Sequence, residues 1–326
     1  MDEQAFRQFL AERKYTPEQT KAAIAAVVEF EDWLVARGTD FATAPVDELK
    51  AYLAELVRDG RNTRERLLDL ARYCWVAKRS DFYIHFTKLF GGLSIFPSIA
   101  QRLEELAGAE VKEAVFQGIE QPPLGSPPEA YPPLTALLME RMQKHLSPEQ
   151  CRRVLAFNHH GIPVESFEKH KAWFAELQSL EAFLKKVHEE AVAELEEYAR
   201  EDKIWYEQEI TPEIIELVRG NREILSAVRK GDRLYITKIP YAGKEYLAEK
   251  DPVLKRYYAC HCPLAREAIL TDDVDVPHEW CNCSAGFAKH MLETVLETTL
   301  EAEVLESALR GDVRCRFAIK ISPEAG

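Results

Sequence analysis

Two short cysteine pairs carry the clearest chemical signal in the sequence. Cys260-His261-Cys262 is followed, after 18 residues, by Cys281-Asn282-Cys283. Side chains alternate with period two along a strand, so each Cys-x-Cys pair on a strand would turn both sulfurs to one face. Two such pairs make a four-sulfur pocket. Zinc takes four tetrahedral ligands with sulfur at about 2.3 Å, and an iron-sulfur cluster also accepts four thiolates. His278 and Glu279 flank the second pair and can stand in for one sulfur. A redox dithiol and free, partly buried thiols are the other readings open at this spacing. A further possibility is nucleophilic catalysis by a cysteine that His261 or His278 activates.

The remaining cysteines ask for less. Cys315 alternates with Arg314 and Arg316 on an apolar strand face, where a small hydrophobe is expected, and Cys74 and Cys151 sit on helix stripes. Seven cysteines is an odd number. With a polar, acidic start and no export signal, the sequence reads as cytoplasmic and without a disulfide scaffold. Trp205, Tyr206, Tyr235 and Phe287, with Cys315, are the candidates for an apolar ligand pocket, although aromatic residues at such spacing are more often core. His159-His160-Gly161 reads as a helix end, where histidine is favoured without any chemistry. Gly-x-Gly-x-x-Gly, phosphate-loop, His-Glu-x-x-His and Gly-x-Ser-x-Gly motifs are absent from the sequence.

These residues need a scaffold, and the 326-residue chain is long enough for two domains. The balance of 42 basic against 55 acidic side chains, a net −13, disfavours a globally electrostatic nucleic-acid or membrane-surface binder. No window approaches the roughly 20 apolar residues of a membrane span. One basic run stands out: residues 58–79 hold seven Lys or Arg against three acids. Arg58, Arg61, Arg64 and Arg66 are therefore the candidate phosphate contacts, with a solvated helix face as the plainer reading.

Helical stripes fill the first 120 residues. Thr16-Pro17-Glu18-Gln19 is a capping box with a first-turn proline, and Asn62 to Glu65 has the spacing of another. Residues 121–133 contain six prolines and read as a stiff extended linker. Beyond it come a third capping box at Ser147-Pro148-Glu149-Gln150, a long acidic helix, expected strands over 233–239 and 255–262, a helix over 284–296 and a closing hairpin about Gly311-Asp312. The expected architecture is α+β: a helical N-terminal bundle (1–120), a proline-rich linker (121–133) and an α+β domain (134–326) whose antiparallel sheet is packed by helices.

Cys281-Asn-Cys-Ser-Ala-Gly-Phe287, the helix after it, Glu303 to Glu306, Arg310-Gly-Asp312 and Cys315-Arg-Phe317 together resemble the end of the 4-vinyl reductase domain family. That resemblance implies a small-molecule-binding fold related to nitric-oxide and hydrocarbon sensors. In the phenol-sensing members a zinc is held by cysteines and an acidic residue near this helix. Glu279 and Cys281 match the acidic-x-Cys element, and Cys260 or Cys262 matches the upstream ligand. The family's cysteine inside the helix is missing here, and Cys283 has no counterpart there. The same stretch is similar to bacterial proteins grouped with aminothiazoline-carboxylate hydrolases. Residues 16–90 resemble the helical core-binding domain of tyrosine recombinases, without a downstream His-x-x-Arg box and nucleophilic tyrosine.

The resulting expectation is a small-molecule-binding or sensor protein with a cysteine-based zinc or iron-sulfur site. A hydrolase or thiol-dependent enzyme and a DNA-binding regulator are the alternatives. A small apolar or aromatic ligand is the expected partner, with DNA and a second copy of the chain as further candidates and no membrane.

Overall fold

The computed structural model describes residues 1–271 and 273–322. Contacts divide the chain into two compact units: residues 1–91 with 122–130, and residues 92–121 with 131 onward.

The first unit is helical: α1 (Glu3–Glu12), α2 (Pro17–Ala36), α3 (Val46–Arg58), α4 (Arg64–Val76) and α5 (Ser80–Phe90). The capping box at α2 is complete, with Gln19 N–H donating to Thr16 Oγ1 at 3.2 Å and Thr16 N–H donating to Gln19 Oε1 at 2.9 Å. The cap of α4 is Thr63 rather than Asn62, because Thr63 Oγ1 accepts the Arg66 N–H. Asn62 instead donates to Leu124 O at 2.7 Å. Phe6, Phe30, Tyr52, Phe82 and Phe86 are fully enclosed, each burial contributing about 1.5–3 kcal/mol.

The proline-rich segment is not an extended linker. Residues 122–130 return to the first unit, where Leu124 joins the apolar core. Pro132 and Pro133 open a helix, a position where proline's missing N–H costs nothing. The boundary expected at 121–133 therefore moves to two chain passages, one near residue 91 and one around 122–130.

The second unit begins with α6 (Ile95–Ala107) and α7 (Ala109–Phe116), separated by Gly108 at φ +89°. That positive-φ residue, a conformation glycine adopts readily, divides what would otherwise be one continuous helix. Then follow α8 (Pro132–His145), α9 (Pro148–Leu155), α10 (Glu168–Leu177), α11 (Leu180–Arg200), the two-residue strands β1 (Ile204–Trp205) and β2 (Gln208–Glu209), α12 (Pro212–Arg219), β3 (Val228–Lys230), β4 (Arg233–Thr237), α13 (Gly243–Ala248), α14 (Pro252–Ala259), α15 (Asn282–Leu296), β5 (Glu301–Glu306) and β6 (Arg316–Lys320). The main sheet is antiparallel in the order β3-β4-β6-β5, with Phe317 opposite both Ile236 and Val304. Phe317 and Ile319 are fully buried and pack with Phe183, Leu184 and Leu292 from α11 and α15. The chain is thus α+β with a helical N-terminal region.

The strand expected over 255–262 is a helix. Asp251 caps α14 by accepting the N–H groups of Val253 and Leu254, and Pro252 occupies its first turn. Cys260 is the C-cap and Cys262 lies in the turn beyond, so strand alternation does not govern where the two sulfurs point.

Glu223 locks the start of β6 to the end of β4. Its carboxylate accepts Arg316 Nε and Nη2 at 2.7 Å each and Thr237 Oγ1 at 2.8 Å, which holds it below the usual carboxylate range. The Arg316→Ala variant leaves a nearly buried carboxylate with half its partners gone. Urea denaturation should show a loss of about 2–4 kcal/mol, and a Glu223→Gln background should reduce that loss.

Candidate functional site

Five cysteines from three chain segments meet in the second unit. Cys260, Cys281, Cys283 and Cys315 are 3–8% exposed, while Cys262 is partly exposed; none is in a disulfide. Their charges would act on one another: Cys260, Cys281 and Cys315 form one mutually coupled group, and Cys262 couples to Cys260, Cys281, Cys283 and Cys315. Burial is the largest influence on all five thiols and pushes each above its ordinary value. Burial thus favours the protonated thiol at each of these sulfurs.

Cys262 differs from the others in its surroundings. Trp280, itself 1% exposed, donates its indole N–H to Cys262 Sγ at 3.1 Å. The charge of Lys238 reaches this sulfur, and the Leu264 and Ala265 amides lie in the turn that follows, with the Ala265 N–H on Cys262 O at 3.3 Å. The turn holding those amides is closed by Arg266 N–H on Cys262 O at 2.9 Å. Burial still dominates, but the indole N–H and one cation pull the other way and would be worth most when the sulfur is an anion.

Lys238 follows β4 and prolongs its pairing, with its N–H on Cys315 O at 2.9 Å. Its ammonium lies 5.0 Å from the centre of the Phe287 ring, and the His160 ring stands edge-on to Phe287 at 5.2 Å. Phe287 is 39% exposed, on the first turns of α15. Among the described residues Lys238 forms no ion pair with a carboxylate. Its charge acts on Cys262, Cys283, Cys315, His160 and His261.

The expected histidine activation of a thiol is not what the geometry provides. His261 shares a 2.6 Å hydrogen bond with Ile239 O, rests edge-on against Tyr241, and is held neutral by burial. His278 is half-exposed and faces Glu279 at 3.6 Å. His159 lies beyond the end of α9, fully buried, bonded to Ser98 Oγ and Val154 O at 2.9 Å each. Its role is structural.

Zinc or an iron-sulfur cluster would need three or four donors around one point. Among the described residues no three His, Cys, Asp or Glu side chains make such a group. The five thiols are gathered but not closed around an ion, and the set including His261, His278 and Glu279 does not fit one as arranged.

The aromatic pocket expected from the sequence is not assembled either. Trp205 belongs to a separate apolar cluster with Leu195, Ile214 and Ile239. Tyr206 is 74% exposed at φ +53°, and Tyr235 lies under the guanidinium of Arg316. Phe287 and Cys315 do belong to the thiol region. In the first unit the basic run is already paired: Arg61 and Arg66 both hold Glu29, Arg58 holds Asp59, and Arg64 is exposed. Little of the expected local positive charge is left over.

Sequence reasoning passed over Lys238 and Trp280. Lys238 carries no motif, and an indole on a sulfur is a tertiary contact. The nearness of Trp280 to Cys281 was the one available signal.

The second unit is therefore a helix-covered antiparallel sheet with a thiol cluster between its last strands and α15. A family model described as a family of unknown function (DUF6144) matches residues 223–325. That segment contains Lys238, Trp280 and all five clustered cysteines. No curated protein and no solved structure matches the chain. No helix among the described residues is long and apolar enough to cross a membrane.

Proposed function

We propose that the second unit binds a small electrophilic molecule through Cys262, the reactive thiol of the cluster. The observation carrying this reading is the Trp280 N–H on Cys262 Sγ at 3.1 Å, at the one cysteine of the five that as a residue is less than fully buried. Donors aimed at a sulfur stabilise it as it becomes a thiolate, and the thiolate is the nucleophile. Thiol capture is a step that a sensor and a thiol-dependent enzyme share, and both were expected from the sequence.

Peptide mapping after a brief treatment of the native protein with iodoacetamide tests it. Of the seven cysteines, Cys262 should take the label first, at least about tenfold ahead of the buried ones. Cys262→Ser should abolish the fast phase and leave the rest silent until unfolding. Labelling that begins at Cys283 or Cys315, or that waits on global unfolding at Cys262, would overturn the reading.

A further inference from the structure

The surroundings of Cys262 bear on what reaches it. We propose that Lys238 makes this site selective for electrophiles that carry a negative charge, with the Lys238 ammonium, seated over the exposed ring of Phe287, as the group that attracts the anion. The inference rests on Cys262 being the reactive thiol.

Three observations carry it. First, Lys238 is fixed by its backbone to Cys315 and by its ammonium to Phe287, so its charge is placed and not wandering. Second, it has no carboxylate partner among the described residues, although the chain has 55 acidic side chains. Asp312, a carboxylate felt by Cys315, is already held by Arg310 Nε at 3.1 Å and by the Ser307 N–H at 2.8 Å. Third, the other groups around Lys238 do not neutralise it: His160 and His261 are uncharged, and burial favours the protonated thiols. Arg266, 7% exposed between the rings of Tyr241 and Tyr257, is paired with the buried Glu267 at 3.4 Å, so that carboxylate is already taken and does not neutralise Lys238. A cation left unpaired in a net-negative protein beside the nucleophile gives a local potential opposite to the global one.

The probe reaction is a simple displacement. The Cys262 sulfur forms a bond to the methylene carbon of iodoacetate, the carbon–iodine bond breaks, iodide leaves with its electron pair, and the thiol proton goes to solvent. Iodoacetamide reacts in the same way without the charge. The ratio of the two rate constants at Cys262, at one pH, reads the local potential while cancelling the thiolate fraction.

In the intact protein this iodoacetate-to-iodoacetamide ratio should exceed that of a neutral cysteine amide by about fivefold or more at low salt. It should fall back toward the free-thiol ratio in Lys238→Gln, persist in Lys238→Arg, and decline in the wild-type protein as salt rises to about 0.5 M. The salt series needs no variant, so it decides the matter if Lys238→Gln fails to fold. A wild-type ratio equal to that of the cysteine amide, unmoved by salt, overturns the charge selection while Cys262 stays the reactive thiol. Failure of both reagents to label Cys262 in the native state overturns the reactive-thiol reading instead, and the selectivity with it.

Discussion

Gly286→Ala is expected to unfold or loosen the second unit more than any other single-methyl change. A Cβ at this position would stand inside the van der Waals envelopes of Phe157 N and O and of Ala156 C, the last at 2.6 Å. These are backbone atoms, so no side chain can swing aside to relieve the clash. Overpacking in a yielding core costs about 1–3 kcal/mol, and an unyielding one should cost more, about 4 kcal/mol or above. Gly286 lies between Cys283 and Phe287 on α15, and the displacement would pass directly to both. Urea denaturation of Gly286→Ala, with the iodoacetamide rate at Cys262 alongside, checks this. A stability within 1 kcal/mol of wild type would mean that α15 does not lie against residues 156–157.

Acidification from pH 7 to pH 5 should cost the second unit several kilocalories. Burial is the main cause that lowers His159 and His160 to about 4 and holds His261 well below its ordinary value. In the unfolded chain each titrates near 6.5. The folded state therefore binds fewer protons than the unfolded one across this interval, and stability falls as pH falls. The contribution is complete above about pH 6.5 and drains away toward the folded values. Linkage gives about 1.8 kcal/mol for each of His159 and His160 between pH 7 and 5, hence roughly 4 kcal/mol for the two, and His261 acts in the same sense. His85 in the first unit, also lowered to about 4 by burial, acts in the same sense there. Asp69, whose carboxyl burial raises, opposes it at lower pH. Urea midpoints at pH 7, 6 and 5 measure the slope, and a flat profile over that range would show these imidazoles to be solvated. His159→Gln should remove one share of the slope.

Local signals served well where capping chemistry decides. Thr16 and Ser147 each form the reciprocal cap that their spacing implies, and the apolar alternation of Phe317, Ile319 and Ile321 lies in the sheet core. They served less well where two local codes competed. Residues 255–262 read as a strand from their aromatic and cysteine content, yet Asp251-Pro252 just before them is a helix start, and that start prevails. Prolines at 122–133 were read for stiffness, when two of them open α8 and the others carry a strap back into the first unit. The cysteine gathering was legible because five of one uncommon residue crowd the last 67 positions. What surrounds Cys262 was not. Trp280 and Lys238 arrive from separate elements, and only the packed structure brings the indole N–H and the charge to one sulfur.

The return of residues 122–130 to the first unit has a consequence for how the protein is made. Leu124 packs into the core of that unit, and Gly125, at φ +94°, lies against Val57 and Leu67. On the ribosome, five helices can emerge in order yet lack their closing strap until some forty more residues have been synthesised. Within that interval α6 and α7 are made, carrying the apolar surface of Ile99, Leu103 and Val115, whose partners Leu138, Met142 and Leu155 come later in the chain. No single cut separates the two units, because the gene writes them interleaved.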